Sequence, residues 1–176
     1  MRRVLAIGVL AALLAAPSAA AAGPAQRPEL PALTLRTLDG TGSVAVDSFR
    51  GRPVLLSFWA SWCGPCRVEL PELESLYKEL LGDGFVLLTV NVDSVPAIAS
   101  RYLAQLGVSV PVYRMDQQDL IKLDINALPT NILLGREGQT LMFSTGYSPT
   151  VAEDIRRLVR EMGSVGAAGL GDVQGP

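Results

Sequence analysis

Two cysteines enclosing a glycine and a proline, Cys63-Gly64-Pro65-Cys66, stand where one hydrophobic pattern gives way to another. Before them runs Val54-Leu55-Leu56-Ser57-Phe58, a short and almost wholly apolar stretch typical of a strand buried on both faces. After them, apolar residues recur at helical spacing from Cys66 to Leu81. A chain that passes from a buried strand into a helix within so few residues has few folds open to it. The strand needs neighbours on both edges, and the helix must pack back across the sheet they make.

The same alternation continues downstream. Phe85 to Val92 reads as a second buried strand, and Thr130 to Leu134 as a third. Thr140 to Thr145 pairs with the third across Arg136-Glu137-Gly138-Gln139, a hairpin signal. Helical patterns cover Pro96 to Leu106, Gln117 to Leu123 and Thr150 to Met162, the last opening on the capping box Thr150-x-x-Glu153. These elements predict an α/β domain, residues 32–162, in which a central sheet carries helices on both faces. At 176 residues the chain is long enough for one such domain and its core. Residues 23–31, rich in Pro and Ala, read as a linker, and the Gly-rich residues 163–176 as a disordered tail.

The N-terminus has the form of an export signal. Arg2 and Arg3 precede the uncharged run Val4 to Ala16, and Ala20-Ala21-Ala22 offers a small-residue cleavage site. Residues 1–22 are therefore expected to be a signal peptide, with membrane anchoring through residues 4–22 as the alternative. Export to the periplasm or the outer face of the membrane would put the cysteines where a disulfide persists.

Composition narrows the chemistry. The chain has no histidine, which excludes Ser-His-Asp and Cys-His nucleophiles and imidazole-ligated zinc. Two cysteines are too few for a thiolate metal site or a disulfide scaffold, so neither metal nor cofactor is expected. Dispersed charge, with no basic stripe, gives no nucleic-acid footprint. What remains is thiol chemistry. At the helix start, free N–H groups and the helix dipole favour a thiolate on Cys63, which becomes the attacking sulfur. Pro65 suits the first turn, where its missing N–H removes no bond. Cys66 is shielded and placed to resolve a mixed disulfide. Trp62 shapes the rim, Trp59 belongs to the core, and Asp93 ends a strand as a loop carboxylate.

The segment Phe58-Trp59-Ala60-Ser61-Trp62-Cys63-Gly64-Pro65-Cys66 resembles the thioredoxin superfamily, and within it the exported TlpA/ResA-like thiol-disulfide oxidoreductases. The similarity runs from about Leu33 to Met162 and takes in Val46-Asp47-Ser48-Phe49-Arg50-Gly51-Arg52-Pro53, Val90-Asn91-Val92-Asp93 and Leu128-Pro129-Thr130. It implies a thioredoxin-like fold with a mixed sheet. It also implies a cis Pro129 facing the cysteine pair, and a substrate strand held at Leu128, Pro129 and Thr130.

Where thioredoxin keeps a buried aspartate and a lysine, this chain has Ser57 and Thr89. On a helical wheel at about 100° per residue, Glu69 is the one charged residue inside the apolar arc shared by Cys66, Leu70, Leu73, Leu76, Tyr77, Leu80 and Leu81. Glu69 is thus the expected proton acceptor, and the family carries a functional glutamate at this offset.

The resemblance implies a reductase of exported protein disulfides, apocytochrome c among them, supplied with electrons by a membrane thiol donor. Two alternatives stay open. One is a peroxiredoxin-like (AhpC/TSA-type) peroxidase, whose chemistry wants a threonine or serine where Ala60 stands. The other is a non-catalytic binding module, which would have no use for a cysteine pair.

Overall fold

The computed structural model describes residues 30–168. The expected signal or anchor at residues 1–22, most of the linker and the last part of the tail lie outside the described residues. No described helix is long and apolar enough to cross a membrane.

At the centre is β3 (Val54–Trp59), whose six residues are all buried. It pairs in parallel with β4 (Val86–Asn91) on one side and antiparallel with β6 (Thr130–Leu134) on the other. With β1 (Thr34–Thr37), β2 (Ser43–Ala45), β5 (Val112–Arg114) and β7 (Thr140–Thr145) this makes a seven-stranded mixed sheet in the order β2-β1-β5-β4-β3-β6-β7. The expected strands and the β6–β7 hairpin are present. The sequence pattern passed over β1, β2 and β5, each only three or four residues long, because so short a run cannot display a period.

Alternation along β3 sorts the two layers. Leu56 and Phe58 face a core closed by Leu120 and Leu123 at α3 (Gln117–Lys122) and by Val46 and Phe49 of a short 3-10 turn. Leu55 and Trp59 face the opposite layer of α1 (Cys66–Leu80), α2 (Pro96–Leu106) and α4 (Val151–Ala168). There Leu73, Leu76 and Leu80 of α1 meet Val151, Ile155 and Val159 of α4 over Leu55, Leu87 and Leu133. The ring of Trp59 stacks on Tyr102 of α2 at 5.9 Å between centroids.

Two boundaries differ from expectation. Leu81 leaves the inward arc because the chain tightens into a 3-10 turn at Leu81–Asp83, which exposes it. The last helix runs past Met162 to Ala168, into the stretch assigned to the tail. Once nucleated, a helix gains a bond for each residue added, and Ala167 and Ala168 favour that growth over the delay set by Gly163 and Gly166.

Ile155 is fully buried where α4 covers α1 and the sheet. Ile155→Ala should lower unfolding stability by about 2–5 kcal/mol with an unchanged denaturant slope, as read by urea titration.

Candidate active site

The strand β3 ends at Trp59, and the chain turns through Ala60-Ser61-Trp62 into the cysteine pair. Cys63 donates its N–H to the Ala60 carbonyl at 3.1 Å, closing that turn. Cys63 and Cys66 are joined by a disulfide, with their Cα atoms 5.3 Å apart. Regular helix begins only at Cys66, yet the capping geometry starts earlier: the Cys66 N–H points at Cys63 Sγ, 3.2 Å away. Arg67 N–H bonds to the Gly64 carbonyl, and Val68 and Glu69 N–H to that of Pro65. Cys63 thus holds the cap position in substance, its sulfur taking a free helical donor.

Both sulfurs are more enclosed than an open helix end suggests. Cys63 is 5% exposed and Cys66 fully buried, packed among Trp59, Ala60, Leu70, Ala99 and Leu103. Cys63, expected to be exposed, is itself buried, and it meets a groove that Cys66 does not line. That groove, of about 480 Å³, is lined by Trp62, Cys63, Gly64, Pro65, Leu120, Ile125 and Leu128, among others. Trp62 stands out at 71% exposure and forms its rim. Nothing lies within 4 Å of where a Cβ on Gly64 would be, so bare backbone faces the opening.

The peptide bond between Leu128 and Pro129 is cis. Leu128 lines the groove, whereas Pro129 and Thr130 are buried. Thr130, expected beside the substrate strand, is turned inward. Its hydroxyl donates to the Ala127 carbonyl at 2.7 Å, and its backbone pairs with Phe58, so it braces the loop from within. The Pro129 carbonyl accepts from Gly146 N–H at 2.7 Å, and Gly146 takes a φ of +77° that suits glycine.

Asp93 does more than end a strand. Its carboxylate accepts from Ser61 N–H (3.0 Å), Ser61 Oγ (3.0 Å) and Asn91 Nδ2 (2.9 Å), which ties the loop before Cys63 to the end of β4. Only the fold brings Ser61 and Asp93 together, and no spacing in the sequence announces it.

Behind the pair lies Glu69, one turn after Cys66 and only 1% exposed. The wheel therefore orients it correctly, and Pro71 leaves the inward face of α1 intact from Cys66 to Leu80. Burial pushes the Glu69 carboxyl up from 4.5 to about 7. A hydrogen bond from Asn131 pulls it down, and the nearby Glu72 charge adds to the rise. Asn131 Nδ2 stands 2.9 Å from Glu69 Oε1, while Oε2 has no hydrogen-bond partner. Asn131 was missed in the sequence, although a polar amide inside the run Thr130 to Leu134 is the kind of residue strands disfavour. Ser57 and Thr89 are fully buried beneath the same helix layer. Among the described residues no acidic, cysteine or histidine cluster could hold a metal ion.

A sheet of this order, with a cysteine pair at the head of α1 and a cis proline after the groove residue Leu128, defines a thioredoxin-superfamily protein. The chain belongs to the AhpC/TSA family, whose model matches residues 27–139. It is 29% identical over 119 residues to the thiol-disulfide oxidoreductase ResA of Bacillus subtilis strain 168, covering 66% of each chain. It is also 28% identical over 166 residues to the sporulation thiol-disulfide oxidoreductase A of the same organism, covering 91% of this chain and 98% of that one. The chain thus spans about two thirds of ResA and nearly the whole of the sporulation protein. A crystal structure from Chlorobium tepidum, described as a thiol:disulfide interchange protein DsbE, superposes with a TM-score of 0.70 at 28% identity. It covers 78% of this chain and 97% of its own.

The buried carboxyl makes stability depend on pH. Glu69 binds its proton more tightly folded than unfolded, so its favourable contribution is complete below about pH 4.5 and lost as pH rises through about 7. At about 1.4 kcal/mol for each pH unit the loss is on the order of 3 kcal/mol. Glu69→Gln, which never ionises, should therefore gain stability relative to the oxidised wild type by about that amount between pH 4.5 and pH 8. Denaturant titrations at the two pH values check this.

Proposed function

We propose that the protein is an exported thiol-disulfide oxidoreductase that reduces disulfides in other proteins through Cys63 and Cys66. The observation that carries this reading is the difference in access to the two sulfurs at one helix start. In the reduced enzyme the Cys63 thiolate attacks a substrate disulfide, forming a mixed disulfide and releasing one substrate thiolate. Cys66 then gives its proton to Glu69 and attacks the Cys63 sulfur. The Cys63–Cys66 bond forms, the mixed disulfide breaks, and the second substrate sulfur leaves as a thiolate. Two electrons pass from the enzyme dithiol to the substrate, and a membrane thiol donor restores the dithiol.

Glu69 suits this role because its proton affinity lies near neutrality, where it can both take and return a proton. A substrate strand would lie in the groove beside Leu128, with Trp62 and Leu120 offering apolar contact. The resemblance supplies oxidised apocytochrome c as the first substrate to try, and the N-terminal pattern supports a reaction outside the cytoplasm. Direction follows from the thiolate's surroundings. Gly64 and Pro65 bring no positive side chain to Cys63, so the helix end is its main support. A weakly stabilised thiolate makes a reducing couple.

A second reading, peroxide reduction at Cys63, takes its support from the AhpC/TSA family match. Against it stands Ala60, fully buried and without the hydroxyl that this chemistry wants.

Equilibration with glutathione or dithiothreitol buffers should give a potential more negative than roughly −200 mV. A value near about −120 mV, that of a strong oxidant, would reverse the direction of electron flow. In an insulin-reduction assay the wild type should be active and Cys66→Ser inactive, accumulating a mixed disulfide through Cys63. Peroxide consumption surviving Cys66→Ser, with no insulin reduction by the wild type, would instead favour the peroxidase.

A further inference from the structure

The face of the sheet beneath α1 carries a row of polar side chains among its apolar ones. Register places Thr89 of β4 beside Ser57 of β3, Ser57 beside Asn131 of β6, and Asn131 beside Ser144 of β7. Cross-strand partners share a face, so these side chains form one polar row across four strands. Thr89 satisfies its hydroxyl on the Pro111 carbonyl at 2.7 Å. Ser57 Oγ, Asn131 Oδ1 and Ser144 Oγ are buried with no hydrogen-bond partner. A single contact links the row to the helix, from Asn131 Nδ2 to Glu69 Oε1 at 2.9 Å.

That contact joins two side chains of 0% and 1% exposure from elements far apart in sequence. An amide facing a carboxylate must present its N–H, because the alternative would set two acceptors against each other. A donor held on one oxygen fixes the rotation of the whole group. Glu69 Oε2, the oxygen without a partner, is then the one left to exchange a proton. Residues three apart on a helix are neighbours, so Cys66 lies on the same inward face.

We propose that Asn131 is a positioning residue: its amide holds one oxygen of Glu69, leaves the other for the proton of Cys66, and favours the ionised carboxylate that must accept it. The inference rests on the role given to Glu69 in the proposed function.

The surroundings leave Asn131 as the main lever on that carboxylate. On α1 Arg67, two residues before Glu69, is exposed and off the inward face, while Cys66 and Glu72 lie one turn away, and Glu72 accepts from the Tyr147 hydroxyl at 3.1 Å. The β3 strand contributes only neutral Ser57 and the buried Trp59 Nε1, and β7 only Ser144. From α4, Val151 and Ile155 turn apolar side chains to this layer. No Lys or Arg is among the groups that shift the Glu69 carboxyl. With no cation among those groups, an uncharged donor is what offsets burial and the Glu72 charge.

The test follows the Glu69 carboxyl carbon by NMR in oxidised protein labelled with 13C-glutamate, for wild type, Asn131→Leu and Asn131→Val. Leucine matches the shape of asparagine without the donor, and valine is smaller and suited to a strand, so one can report if the other fails to fold. Loss of a buried charge-assisted hydrogen bond should raise the Glu69 midpoint by about one pH unit or more, a tenfold gain in proton affinity. The disulfide-exchange rate should fall about fivefold at pH 7 and return to the wild-type value near pH 9, since only the ionised fraction accepts a proton.

Glu69→Gln separates the two claims. If it removes the pH dependence around neutrality while either folded Asn131 variant leaves the midpoint in place, the role of Asn131 is overturned and that of Glu69 stands. If Glu69→Gln matches wild type across pH 5–9, the proton-acceptor role itself fails. An equal loss of rate at every pH in the Asn131 variants, without a shifted midpoint, would mark Asn131 as a packing residue and refute the proposal.

Discussion

Everything at the site hangs from the C-terminal end of β3. This strand is buried on both faces and hydrogen-bonded on both edges, so its end is among the least mobile points in the chain. Its parallel neighbour β4 delivers Asp93 to the loop before Cys63. Its antiparallel neighbour β6 delivers Asn131 to Glu69 and follows directly on Leu128, which shares the groove with Cys63. The helix that begins at the cysteines is held down in turn by α4, through aliphatic side chains packed over Leu55. Small shifts in any of these supports would be felt at the sulfurs, because close-packed interiors transmit displacement.

The groove and the interior behind it have opposite characters, and the cysteine pair lies between them. On the groove side the lining is mostly apolar, with Trp62 at the rim and bare backbone at Gly64. Such a surface favours an extended partner strand that brings its own hydrogen-bonding backbone. On the inner side there is one carboxyl in a buried layer, held by one amide. Burying an ionisable group is unfavourable unless it is paired, and a single neutral donor compensates only in part. The remaining imbalance is what brings the Glu69 proton affinity close to neutral pH. The same physics makes the group a burden on stability above that pH and suits it to the proton exchange proposed for it.

Family membership and chemistry must be kept apart at this site. The AhpC/TSA match covers the stretch from the linker to the β6–β7 turn, and therefore the common fold. The relatives compared over most of the domain carry the description of thiol-disulfide oxidoreductases. A fold of this kind hosts more than one sulfur chemistry, and the choice lies in a few side chains. In the proposed function those are a second cysteine one turn after the first, an alanine at position 60, and a carboxyl beneath the pair.

Much of this was legible in the sequence, for identifiable reasons. Long buried strands and amphipathic helices write their period into the chain, so β3, β4, β6, β7 and the four helices could be placed from pattern. Spacing on one helix is also local, so Cys63, Cys66 and the inward direction of Glu69 followed from the wheel. The three-residue strands β2 and β5 were too short to show a period, and α4 runs on past the glycine expected to end it. Contacts between residues distant in sequence were beyond reach: Asp93 on Ser61, Asn131 on Glu69, and Thr130 turned inward on Ala127. The sequence by itself determined which groups could do chemistry and on which face of a helix they lie. Only the tertiary structure decided which partner each one meets, because sheet register, not spacing along the chain, sets distances between strands.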